Sequence, residues 1–187
     1  MTQTITKSAS LTLLDTVPVL YPDAGQGAFG GVRQINDFQA VTTAQLGATT
    51  TQLNMVRVSS TAVIKSLALD LSAVLDSNGS PTLTWDVGLF YSDAPNSGAN
   101  DGTNLSLAGT VISENLFAAA FASPTSVGRT SIIGLGTYTV DKFNTPLWEA
   151  AGLSSDPGGY FDIVVTVHAA AATAVAGKIG VNCEIAF

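Results

Sequence analysis

Four segments of this chain alternate apolar and mostly polar residues with a period of two, and that pattern narrows the fold more than any other feature. Leu67, Leu69 and Leu71 alternate with Ala68 and Asp70, and Leu83, Trp85, Val87 and Leu89 with Thr82, Thr84, Asp86 and Gly88. Phe161, Ile163, Val165 and Val167 alternate with Asp162, Val164, Thr166 and His168. Ile179, Val181, Cys183, Ile185 and Phe187 alternate with Gly180, Asn182, Glu184 and Ala186. A period of two puts one set of side chains on each face of a strand, so these segments predict sheets with one buried side. Further strands are expected at 56–64, 107–112 and 131–140. About seven strands in 187 residues predict two packed antiparallel sheets, an all-β sandwich of jelly-roll type rather than a closed barrel.

The punctuation fits strands joined by loops. Asp76-Ser77-Asn78-Gly79-Ser80-Pro81 predicts a tight reversal, because Asn-Gly favours positive φ and Pro81 resists strand pairing. The 92–104 segment reads as a long polar loop, and Asp156-Pro157-Gly158-Gly159 as the end of another. Two short helices are expected. In one, Ser113 is the cap, Glu114 sits at the positive end, and Phe117 and Phe121 share a face at i, i+4. In the other, Thr145 is the cap, Pro146 the first helical residue and Gly152 the stop. Residues 1–54 are rich in Thr, Gln, Ala and Gly and read as an extended N-terminal arm with one or two short strands. The sandwich domain is then 55–187.

Composition excludes several function classes. Seven basic residues against fourteen acidic ones give a net charge of -7, which repels phosphate backbones and anionic membrane surfaces alike. No nucleic-acid or membrane partner is expected. The most apolar charge-free stretch, 163–177, falls short of a membrane span, and with a single Lys7 and no apolar region after it no leader is expected. One cysteine makes no disulfide, and one cysteine with one histidine makes no zinc site of the usual kind.

Each candidate site residue has a plainer reading beside its chemical one. His168 falls on a polar strand face, and Asp162, the carboxylate on that face, lies roughly 20 Å away along the strand; a surface histidine is expected. Cys183 alternates with core positions and reads as a buried, inert thiol, with only Lys178 near in sequence. Asp76-Ser77-Asn78-Gly79 resembles the opening of a calcium loop in composition but lacks the later ligands. Asp93, Asn96, Asn100, Asp101 and Asn104 are oxygen-rich and are read as turn formers in a solvated loop. Gly25, Gly27, Gly30 and Gly31 lack the Gly-Lys-Thr/Ser ending of a phosphate loop. Tyr91, Trp85 and Trp148 offer rings for a sugar, although Trp85 alternates with the core. No nucleophile–base pair stands out, so the expectation is a non-enzyme with no catalytic, cofactor or metal residue.

A set of segments, taken in order, resembles structural proteins of tailed-bacteriophage virions. They are VIKSLALDL at 63–71, LTWDVGLF at 83–90, NLFAAA at 115–120, PLWEAAGL at 146–153, DPGGYFDI at 156–163 and AAAATAVAG at 169–177. The resemblance covers about 55–187 and transfers no catalytic residue. It implies a head decoration, or cement, protein that sits on the outer capsid surface, binds the major capsid protein and stabilises the head without covalent bonds. Such a protein is made in the bacterial host cytoplasm. A symmetric homo-oligomer is expected, with a trimer preferred because capsid faces meet at threefold points. The alternatives are a tail, collar or fibre-base protein, the major shell itself, or a carbohydrate-binding attachment module. The shell is disfavoured because no long helix is legible.

Overall fold

In the computed structural model, residues 4–7, 32–92 and 109–186 are described. They form nine strands: β1 (Thr4–Lys7), β2 (Arg33–Val41), β3 (Thr51–Ser59), β4 (Val63–Leu71), β5 (Thr84–Tyr91), β6 (Val111–Ala122), β7 (Gly128–Ser131), β8 (Tyr160–Ala169) and β9 (Gly177–Ala186). The five-stranded sheet runs β1-β3-β8-β5-β6 and the four-stranded sheet β2-β9-β4-β7. Chain direction alternates between neighbours except at β1, which pairs parallel to β3. Strands β2 to β9 thus wind between two sheets in the jelly-roll order, with β1 added at one edge.

The alternating residues meet between the sheets. Leu67, Leu69 and Leu71 of β4 and Val181, Cys183 and Ile185 of β9 face Trp85, Val87 and Leu89 of β5 and Phe161, Ile163, Val165 and Val167 of β8 in one core. In β3 the period is broken by a bulge: Leu53 sits opposite Val165, but Val56 sits opposite Ile163. The extra residue, Met55, shifts the alternation by one, so Val56 and Val58 regain the core face.

The expectation of one polar face fails in the five-stranded sheet. Every residue of β8 from Phe161 to Val167 is buried. Val164 and Phe90 are buried yet lie outside the core cluster, on the opposite face of the sheet. That face also holds Arg57 and Asp162, opposite one another in the ladder and joined by two hydrogen bonds, Nε to Oδ1 at 2.7 Å and a terminal guanidinium nitrogen to Oδ2 at 2.9 Å. Asp162 is therefore an interior carboxylate rather than a surface one. In the four-stranded sheet β4 keeps the expected alternation.

The helix expected from Ser113 is instead strand β6. A spacing of four places Phe117 and Phe121 on one face of a helix, but four is also a multiple of two, so the spacing does not separate helix from strand. Pairing decides it, and the pairing is irregular. Val87 sits opposite Ala118 and Leu89 opposite Ser113, so β6 uses five steps where β5 uses two. The surplus backbone folds over Gly88, where an added Cβ would lie 2.2 Å from the carbonyl oxygen of Glu114 and 2.3 Å from that of Ser113. Gly88→Ala is expected to cost about 3 kcal/mol, because backbone must move to make room; urea unfolding of the variant checks this.

The second expected helix is present one residue late. Helix α2 spans Leu147–Ala150 with Pro146 at its cap, and the Thr145 hydroxyl donates to the Lys142 carbonyl instead of capping. An earlier short helix, α1 (Thr43–Leu46), carries a capping box between Thr42 and Gln45 and joins β2 to β3. The 56–64 segment is divided by a turn at 60–62, and of 131–140 only Ser131 belongs to a strand. The stretch after β7 runs along β6: Ala119 donates to the Leu135 carbonyl, and Thr137 and Tyr138 donate to Asn115 and Leu116. Tyr138 then reaches across to the Ile64 carbonyl of β4 at 3.0 Å, tying the two sheets together.

The 54/55 point falls inside β3. Upstream of it, β2 pairs with β9 along nine residues, from Arg33 opposite Ile185 to Val41 opposite Gly177. Of the 107–112 segment, 109–112 is described and β6 begins within it at Val111, since 93–108 lies outside the described residues.

Candidate functional site

The one histidine closes a polar groove on the outer side of the five-stranded sheet. Asp86 of β5 lies directly opposite Thr166 of β8, and His168 follows two residues on, on the same face. His168 Nδ1 is 2.7 Å from Asp86 Oδ2. The partner carboxylate thus comes from the neighbouring strand and not from Asp162, the nearest candidate within β8. Only strand register could have revealed it. The His168 side chain is half exposed and that of Asp86 nearly buried.

Asp86 has a second task. Trp85 pairs with Phe121 and Val87 with Ala118, so β6 holds one surplus residue there. Ala120 in that bulge has φ +45°, the left-handed region that costs a residue with a Cβ. The bulge turns the Ala120 N–H off the ladder, and it donates to Asp86 Oδ1 at 2.7 Å. One carboxylate therefore fixes both the bulge and the imidazole.

The groove has a volume of about 460 Å³ and is lined by Thr49, Glu114, Asn115 and Thr166 besides the pair, with small apolar residues between them. Thr166 is buried, and its hydroxyl has no hydrogen-bond partner. Among the described residues no hydroxyl is hydrogen-bonded to the other ring nitrogen of His168, where a nucleophile would be coupled.

The other candidates go to separate places. Cys183 lies in the core, and burial, with the nearby Glu184 charge, pushes its thiol up to about 12. Asp76 is buried and accepts five backbone N–H groups: Asn78 and Thr173 at Oδ1, and Thr82, Leu83 and Ala172 at Oδ2. The carboxylate resembling a calcium-loop opening is thus the clasp between two crossing loops. Gly79 does not adopt positive φ, and the segment is a crossover from β4 in one sheet to β5 in the other rather than a tight reversal. Trp85 is buried in the core, Tyr91 packs edge-on to Phe161 at 5.8 Å, and Trp148 is half-buried against the core. Gly25, Gly27, Gly30 and Gly31, and the loop from Asp93 to Asn104, lie outside the described residues. No group of three His, Cys, Asp or Glu is placed to hold a metal ion, and no helix is long and apolar enough to cross a membrane, among the described residues.

A second groove, of about 370 Å³, lies on the outer face of the four-stranded sheet. Gly180 forms its floor; Phe38, 61% exposed, stands beside it with Lys178 Nζ 4.9 Å from the ring centroid. Arg129 and Asp70 close the other side as a bidentate pair.

No family model matches the sequence, and no curated protein matches it. Two solved structures do match. One is a chain of the capsid of Ralstonia phage GP4, with TM-score 0.58, 15% identity, and coverage of 98% of this chain and 97% of that one. The other is a chain of the Cyanophage Pam1 capsid asymmetric unit, with TM-score 0.50, 20% identity, and coverage of 92% and 96%. The chain shares its fold with these two phage capsid chains. At such identities the likeness is one of architecture, and it runs over nearly the whole of each chain.

Proposed function

We propose that this chain is a phage head decoration protein, which binds the outer surface of the capsid and stabilises it through contacts with the major capsid protein. The observation that carries the reading is the end-to-end likeness to two chains of phage capsids. The match leaves almost nothing over on either side, so the chains compared are of similar length. The order of segments from 63 to 177 that resembles virion structural proteins supports the same reading.

The physical character of the surface supports it too. Only 11% of residues are charged, so few long flexible side chains lose rotamer freedom when the surface is covered. Phe38, Val127 and Val140 are more than half exposed and supply apolar contact. A net charge of -7 suits a position outside the shell, away from packaged DNA. The role is structural and not enzymatic in this reading, and the protein acts as a homotrimer.

Quantitative mass spectrometry of purified virions tests the proposal. Hundreds of copies per particle are expected, and heads stripped of the protein are expected to break at lower temperature than decorated ones. A handful of copies per particle would instead indicate a tail or collar part. Unchanged head stability after depletion would remove the decoration role. Light scattering of the isolated protein should give three times the 19.1 kDa chain mass.

A further inference from the structure

The groove beside His168 is supplied with acceptors and has no cation of its own. Glu114 is exposed, and its side chain has no hydrogen bond or ion pair among the described residues. The Thr166 hydroxyl is buried without a partner at the same groove, where burial of an unsatisfied polar group is costly. His168 lines the same groove, with Nδ1 held on Asp86. No Lys or Arg is among the described residues that line the groove.

We propose that this groove receives an arginine side chain presented by a neighbouring virion protein. A guanidinium carries its donors in a planar fork and serves several separated acceptors at once, which a compact ammonium does less well. Its charge complements Glu114 and the acidic chain around it. Asp86 does not take the ligand directly; it positions His168 and the Ala120 bulge that shape one wall of the groove. The identity of the donor protein as a virion component rests on the capsid role proposed above, whereas the groove's preference for a guanidinium does not.

A titration of isotopically labelled protein with N-acetyl-arginine amide, followed by NMR, tests this. Saturable shifts are expected at the His168 imidazole and at the Glu114 and Ala120 amides. N-acetyl-citrulline amide keeps the shape and loses the charge, and it should bind roughly tenfold more weakly. Glu114→Gln lies on an exposed position, so the fold is retained, and it should weaken arginine binding by a similar factor. Absence of saturable shifts at these residues overturns the proposal, as does equal binding of citrulline or an unchanged response in Glu114→Gln. If the titration succeeds while the protein proves absent from virions, the guanidinium site stands and the head role falls.

Discussion

Replacing Asp76 with Asn is expected to destabilise the protein by about 3–5 kcal/mol at neutral pH. The three amides of Thr82, Leu83 and Ala172 converge on Oδ2. An Asn side chain that keeps Oδ1 for Asn78 and Thr173 must point an NH2 group at those three donors. The loss is smaller than five separate unsatisfied amides would give, because the ends of both loops can recruit water. Burial alone would raise the Asp76 carboxyl from its usual value of 3.8, but the amides of Thr173, Thr82, Ala172 and Asn78 outweigh it and hold the group well below the ordinary carboxylate range. The sign of the pH effect follows. A depressed folded value means the stabilisation is complete above 3.8 and is lost as pH falls from there towards the folded value. Urea unfolding of both proteins should show a gap that is full at pH 7 and closes as the solution is acidified below 3.8. A gap that widened on acidification would contradict the role of the charged form.

The second large effect is expected at Asp162. Asp162→Ala strips the carboxylate from Arg57, whose side chain is 3% exposed, and should cost about 3–5 kcal/mol. The informative variant is the double one. Replacing both members with apolar residues of similar size, Arg57→Met with Asp162→Leu, removes the charge together with its partner and should recover most of the loss. Denaturation midpoints of the two single variants and the double variant form a cycle that isolates the pairwise part. A double variant as unstable as the singles would show that the pair's surroundings, and not the loss of its mutual pairing, dominate.

The sequence made the sandwich legible wherever burial was one-sided or the outer residues were polar. All four alternating segments are strands, and the core residues they nominated meet in one cluster, except Phe187, which lies outside the described residues. What it concealed has identifiable causes. In β6 the surplus residues mask the period of two, and the Phe117–Phe121 spacing fits either structure. In β2 the outward residues Gln34, Asn36 and Ala40 and the half-buried Arg33 and Ile35 leave too weak an apolar face to fix where a short strand expected within 1–54 begins and ends. The groove was hidden for a different reason. His168 and Asp86 are 82 residues apart, and the amides that clasp Asp76 come in part from 96 and 97 residues downstream. Such pairs are created by register, and register is set by the whole sheet. Cys183 was readable because burial of an alternating position needs no partner to be known.

Strand β9 lies between β2 and β4, pairing with Arg33–Val41 on one side and with Val63–Leu71 on the other. On the ribosome, then, two strands made early must wait, half-paired at best, until residues 177–186 leave the exit tunnel. Contacts so distant along the chain are slow to close and leave unpaired strand edges open to misassembly meanwhile. Assembly of this protein into any larger particle is therefore gated by the synthesis of β9.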